Sequence, residues 1–469
     1  MGGNTSTSSR FIPNSGATVA AANSPDRSAS RKSMFTEVPD EILDMIVRKL
    51  WTIHRAQHSS VCRRWYRLTL PYLWRCIRIF LIGQKSPMTI LDDFLSLMAS
   101  RPELAVLVQR LVLYHIEGDV SIISRALELL PNLRFLILRA PRIHPADGDV
   151  LTRHASRHAL EQLMITGARG TNVFIPATVQ LLSLFYEIRR ITLKWNGIEL
   201  ENDAVDRTIP KDALDNLHVF QLDMNLDTSS SFYLNILGRH GAFRHLAYLR
   251  VEANCLEALV NLSQLLSTVG PTLRELFLRL CWDLSTDGFR LTWDQDTAAI
   301  DSALRREFVV TSIRKGIESC SALHGFRLAM STSFPYNVAY DASVVQEIAA
   351  QGWLMGVAII NLVTTRLSQQ LRHLSFNYWT TGVDPSEYDR RLFSWSKLRE
   401  ACRRCIDLRI LHVQFLRRYK DNAVGRVKLW GKECVQQEMR DFHDALRRGE
   451  AIRFGECEEE SCRLYVGTA

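Results

Sequence analysis

One pattern, apolar-x-x-apolar-x-apolar, recurs ten times between residues 108 and 413 and restricts this chain to a small set of folds. It reads Val108-x-x-Leu111-x-Leu113, Leu133-x-x-Leu136-x-Leu138, Leu160-x-x-Leu163-x-Ile165, Ile188-x-x-Ile191-x-Leu193 and Leu217-x-x-Phe220-x-Leu222. It continues as Leu246-x-x-Leu249-x-Val251, Leu273-x-x-Leu276-x-Leu278, Leu323-x-x-Phe326-x-Leu328, Leu371-x-x-Leu374-x-Phe376 and Leu408-x-x-Leu411-x-Val413. The first six intervals are 25, 27, 28, 29, 29 and 27 residues. Alternation at the end of each motif is what a strand with one inward face requires. The segments between read as helices. In 253–268, Leu256, Leu259, Leu262 and Leu266 share a side, and Gly270-Pro271 supplies a stop. Strand, helix and parallel strand in succession imply right-handed crossovers.

That spacing lies in the leucine-rich-repeat range. The array resembles the divergent leucine-rich repeats that often follow a docking module. The expected fold class is therefore α/β: a solenoid over 81–415, with a parallel sheet on its concave face and helices on its convex face. A segment at 416–469 is expected to cap it. A non-repeat α/β fold is the alternative.

The last three intervals lengthen to 50, 48 and 37 residues. The segments after the seventh, eighth and ninth strands are rich in aromatics and carboxylates: Trp282 and Trp293, then Phe334, Tyr336 and Tyr340, then Tyr378, Trp379 and Tyr388. Insertions at one point of a solenoid repeat emerge on one edge, and aromatics with charges are the composition of binding hot spots. These eight residues are expected to bind a target protein with preference for a basic or Arg-rich segment. The alternative is that they pack beneath long loops as satellite clusters.

Residues 35–80 differ in kind. Pro39 suits a first helical turn, and Asp40 and Glu41 place negative charge where the helix dipole favours it. Ile42, Leu43, Ile46 and Leu50 form one apolar stripe, Val61, Cys62, Trp65 and Leu68 a second, and Leu73 with Trp74 a third cluster. So short a piece cannot bury three apolar faces alone. The arrangement Val38-Pro39-x-Glu41-Ile42-Leu43, Val61-Cys62-Arg63-x-Trp65 and Pro71-x-Leu73-Trp74 resembles the F-box, a three-helix module assigned here to 34–80. The middle stretch from Trp51 to His58 departs from the family pattern. The resemblance implies docking to a Skp-family adaptor, and through it to a cullin, by Val38, Pro39, Ile42, Leu43, Ile46, Leu50, Val61, Trp65 and Trp74. It also implies a substrate receptor of SCF-type ubiquitin ligases, with no chemistry of its own. A helical cap on the first repeat, in a protein–protein scaffold outside any ligase, is the bland alternative.

The net charge of +8 is confined to the start of the chain. Residues 1–85 hold 13 Lys and Arg against 5 Asp and Glu, and the remainder holds 45 of each. A neutral body argues against a broad phosphate-binding surface, although Arg417, Arg418, Lys420, Arg426 and Lys428 form one local cluster. Basic charge beside the F-box-like segment suits an acidic partner, and Skp-type adaptors are acidic as a family.

Residues 1–33 have the composition of a disordered tail. Gly2 fits the N-myristoylation pattern, against which stands a chance match in a Gly/Ser-rich tail. Membrane attachment is expected only if Gly2 is acylated. The polar N-terminus is no secretory signal, so the ten cysteines are expected reduced, in cytoplasm or nucleus. Cys402, Cys405, Cys457 and Cys462 could suggest zinc, but Cys320 and Cys405 each lie three residues before a motif leucine, the phase of buried repeat positions. His154 and His158 have metal-clamp spacing without a third ligand, and a solvated face is the plainer reading. Neither metal nor cofactor is expected, and no nucleotide-binding or hydrolase motif occurs.

Overall fold

In the computed structural model, the described residues are 38–49, 59, 62–80, 86–146, 158–170, 174–198, 214–226, 237–253, 256–283, 298–333, 342–381, 395–408, 410–420, 427–430, 454–456 and 463–467. The expected tail at 1–33, the departure at 51–58, Gly2, His154, Cys457 and Cys462 lie outside them. Two compact units divide after Tyr72.

The first unit contains the helix Asp40–Lys49 and the beginning of the helix Arg63–Trp74. Leu43, Val47 and Trp65 form its small core, with Val38, Leu68 and Tyr72 packed against them. The third helix expected of this module would fall on residues outside those described.

The second unit is organised by one sheet of fourteen strands among the described residues. Its strands are β1 (Cys76–Ile79), β2 (Arg110–Tyr114), β4 (Phe135–Arg139), β6 (His158–Gly170), β7 (Phe185–Ile198), β8 (His218–Leu226) and β9 (Tyr248–Ala253). They continue with β10 (Glu275–Asp283), β11 (Gly325–Ser333), β12 (His373–Thr381), β13 (Ile410–Lys420), β14 (Val427–Trp430), β15 (Phe454–Glu456) and β16 (Arg463–Gly467). A separate parallel pair joins β3 (Glu117–Asp119) to β5 (Arg142–His144). From β1 to β13 each strand pairs in parallel with the next in chain order. Past β13 the direction reverses, since β14 and β16 both pair with it antiparallel and β15 pairs antiparallel with β16.

The parallel register converts the sequence motif into continuous rows. Leu111, Leu136, Leu163, Ile191, Leu222, Leu249, Leu276, Phe326, Leu374 and Leu411 are neighbours across the sheet, and all are buried. A second row, two residues along each strand, contains Leu113, Leu138, Ile165, Leu193, Met224, Val251, Leu278, Leu328 and Phe376. Each such side chain contributes roughly 1.5–3 kcal/mol on burial.

Two repeat assignments need correction. In β8, Ile191 pairs with Leu222 and Leu193 with Met224, so the unit is Val219-x-x-Leu222-x-Met224, two residues beyond the reading from sequence. Val219 is fully buried while Phe220 is 50% exposed. The second correction adds a rung. Ile77 pairs with Leu111 and Ile79 with Leu113, and Trp74 packs on the same core. Trp74-x-x-Ile77-x-Ile79 therefore opens the series of rungs, and residues 76–79 form the first strand of the sheet.

The long intervals are filled partly by longer helices. Leu256–Val269 has 14 residues, whereas Ala298–Glu318 has 21 and Ala342–Arg366 has 25. The apolar run 353–360 lies inside the last of these, with Trp353, Met355, Ile359 and Ile360 buried against the sheet. Among the described residues, no helix is long and apolar enough to cross a membrane. Gly316 permits close helix contact: a Cβ there would stand 2.8 Å from the Leu266 Cβ and 2.9 Å from the Ser263 Cα.

Candidate functional sites

The helix Asp40–Lys49 is apolar on two sides. Leu43 and Val47, four residues apart, enter the core at 1% and 0% exposure. Ile42, Met45 and Ile46 lie one turn-step around the same helix and are 46%, 62% and 44% exposed. The sequence reading placed Ile42, Leu43 and Ile46 on one stripe. The structure separates them: Leu43 is internal, and so is Trp65 at 8% exposure, so these two hold the module together instead of offering a docking surface. Met45 was not among the expected contacts, although its i, i+3, i+4 relation to Ile42 and Ile46 was visible in the sequence. Pro39 is exposed and Val38 half-buried. Leu50 and Val61 lie outside the described residues.

Polar contacts tie this helix to its neighbour. Arg64 reaches the Asp40 carboxylate at 2.6 Å and donates to the Val38 carbonyl oxygen, tying the N-terminus of one helix to the other. Tyr72 donates to Asp44 at 2.5 Å and accepts from Arg48 Nε at 3.0 Å. Burial raises the pKa of the Tyr72 phenol, and its hydrogen bond to Asp44 adds to the shift.

The expected target-binding residues divide differently. Tyr378 is fully buried, a correction to its expected surface role. It continues an inward row through Ala253, Leu280 and Met330, its ring packs against Trp353 and Phe376, and its hydroxyl donates to the Ala349 carbonyl oxygen. Trp282 and Trp379 occupy the final turns of β10 and β12 by backbone position. Trp293, Phe334, Tyr336, Tyr340 and Tyr388 fall outside the described residues. The strands that lead into these segments are adjacent: Asp283 pairs with Ser333, and Thr332 with Thr380.

The thiols behave as core side chains. Cys320 and Cys402 are buried, and burial pushes Cys320 up to about 12 and Cys405 up to about 11. Such thiols stay protonated near neutral pH and pack as apolar core side chains do. No metal-holding group of three or more His, Cys, Asp or Glu occurs among the described residues. His158 begins strand β6, so it is not half of a helical His pair, and burial lowers its pKa. Of the basic cluster near the C-terminus, Arg417, Arg418 and Lys420 lie on β13 and Lys428 on β14, paired antiparallel. Arg426 lies outside the described residues.

Residues 35–79 match the F-box-like family, the type of module that engages Skp-type adaptors. No curated protein shows a match to the chain. Among solved structures, the crystal structure of the TLR13–ssRNA13 complex is similar at 12% identity with a TM-score of 0.26. That match covers 68% of this chain and 44% of the other, and it is too loose to carry a structural or functional argument.

Proposed function

We propose that this chain is the substrate-recognition subunit of an SCF-type ubiquitin ligase. In this reading the N-terminal helices grip a Skp-family adaptor, which connects to a cullin, and the repeats hold a target protein. The observation that carries it is the exposed row Ile42, Met45 and Ile46 on a helix whose opposite side already fills the core. Three large apolar side chains side by side mark a surface meant for a partner. Their position within the F-box-like match supports a Skp-family adaptor as that partner. Val38 and Pro39 would border the contact, with Leu50 and Val61 extending it. The chain's role in the reaction is proximity: it holds a target near a ubiquitin-loaded enzyme bound elsewhere in the complex.

The parallel, registered rows support the reading of the second unit as a divergent leucine-rich-repeat solenoid. In that reading the segments after β10, β11 and β12 form one target-binding edge, carried by Trp282, Trp293, Phe334, Tyr336, Tyr340, Trp379 and Tyr388. Their carboxylate neighbours favour a basic target segment. The test is co-purification of a Skp-family adaptor with the full chain and with an Ile42→Asp, Ile46→Asp variant. Loss of adaptor with unchanged circular dichroism supports the proposal. Adaptor retained by the folded variant overturns it.

A further inference from the structure

The sheet face opposite the helices presents cations that no carboxylate neutralises. Asp223, Glu252 and Glu275 on that face are each already paired: Asp223 with Arg190, Glu252 with Arg279 and Glu275 with Arg327. Arg110, Arg139 and Arg250 have no such acid. Each lies instead across an aromatic ring that is its register partner on the adjacent strand. Arg110 sits 4.6 Å from the Phe135 ring centre, Arg139 5.2 Å from that of Tyr114, and Arg250 4.8 Å from that of Phe277.

Stacking on a ring holds a guanidinium flat while its N–H edge stays free for an anion. Arg250 opens onto a cleft of about 240 Å³ that Gln221, Tyr248 and Phe277 also line, together with Glu275, whose charge is met by Arg327. From Arg110 on β2 to Arg250 on β9 the sheet advances five strands, roughly 24 Å at about 4.8 Å per strand. An extended segment of about seven residues covers that span.

We infer that this face binds an extended acidic protein segment, with carboxylates seated on Arg110, Arg139 and Arg250 and apolar side chains against Tyr248 and Phe277. The spacing of charge selects a peptide over a nucleic acid. The cations are set apart, two on β2 and β4 and one on β9 with the paired Asp223 on β8 between them, which suits separated acidic side chains. An unbroken phosphate backbone reaching from Arg139 to Arg250 would be carried across Asp223 on β8. The inference deepens the reading of the repeats as a target holder, and it concerns a different surface from the aromatic segments after β10, β11 and β12.

The experiment measures binding of a labelled peptide of alternating Glu and Ser to the full chain by fluorescence anisotropy. Its Gln-for-Glu counterpart and an oligouridylate serve as comparisons. The acidic peptide binds in preference to both, and Arg110→Gln and Arg250→Gln each weaken it about tenfold, the loss of one charge-assisted contact. Equal affinity for the Gln peptide, or no loss in either variant, overturns the inference. Tighter binding of the oligouridylate overturns it in favour of nucleic acid. Adaptor co-purification is unchanged in both arginine variants, so a failure here leaves the adaptor result standing, and the reverse.

Discussion

The backbone N–H of Gly316 donates to the Ser263 hydroxyl oxygen at 3.0 Å inside the core, joining two crossover helices whose residues are 53 apart in sequence. Helices on one face of a parallel sheet must be spaced to match the strands beneath them, and here a serine and a glycine set that spacing. Gly316→Ala inserts a methyl group where Leu266 and Ser263 leave no room. It should destabilise the second unit by about 1–3 kcal/mol, read as a lower urea midpoint. An unchanged midpoint would show that these helices have slack.

Tyr378 provides a separate test of which aromatics are structural. Tyr378→Phe keeps the ring packing on Trp353 and Phe376 but removes the hydroxyl's hydrogen bond to the Ala349 carbonyl oxygen. A cost of about 0.5–1.5 kcal/mol in stability should follow, with target capture by the remaining folded protein unaltered. Loss of capture without loss of stability would return Tyr378 to the binding surface.

The two sides of the helix Asp40–Lys49 should respond oppositely to truncation. Leu43→Ala opens a cavity in a very small core and should cost about 2–5 kcal/mol. Ile42→Ala removes a half-exposed side chain and should leave thermal stability of the module within about 0.5 kcal/mol while weakening the adaptor complex. Equal destabilisation by both would contradict the division into an inner and an outer side.

Buried thiols give a pH dependence of known sign. The Cys320 pKa is about 12 in the folded chain against an ordinary value of 9.0. Above that ordinary value the unfolded chain releases a proton that the folded chain keeps, so the thiol's contribution is complete below about pH 9 and is lost as pH climbs toward the folded value. Unfolding followed by denaturant from pH 8 to 11 should show falling stability, and Cys320→Ala should flatten that slope. At neutral pH, Ellman's reagent should label Cys62, which is exposed, well before Cys320 or Cys402.

Much of the second unit was legible because a parallel sheet imposes one inward parity on every strand. Leu111, Leu136 and Leu163 announce it, and the structure registers them as one row. The reading slipped at β8, where Phe220 occupies the expected apolar position but faces solvent, and Val219 beside it is buried. Sequence gives both residues the same apolar character, and only pairing to Ile188 separates them. Tyr378 was misplaced for the opposite reason. Composition suggested a surface, although its spacing from Leu374 and Phe376 already gave it inward parity. Trp74 closes the Pro-x-Leu-Trp part of the F-box-like motif and, with the Ile77 and Ile79 that follow, also packs on the core at the first rung, a second role that the motif alone did not reveal. On the first helix, adjacent isoleucine and leucine look alike as a stripe, and only packing decides which points inward.

The reversal after β13 has a consequence for how this protein can evolve in length. A stack of parallel strands has an exposed final rung that invites another copy to add on. Here β16 runs the other way across that rung, and β15, only three residues long, is the terminal edge. Duplicated repeats can therefore be accommodated upstream of β13, where each newcomer finds parallel neighbours on both flanks. Among the described residues, the antiparallel turn-back and the very short β15 make the C-terminal edge a poor template for a further parallel rung.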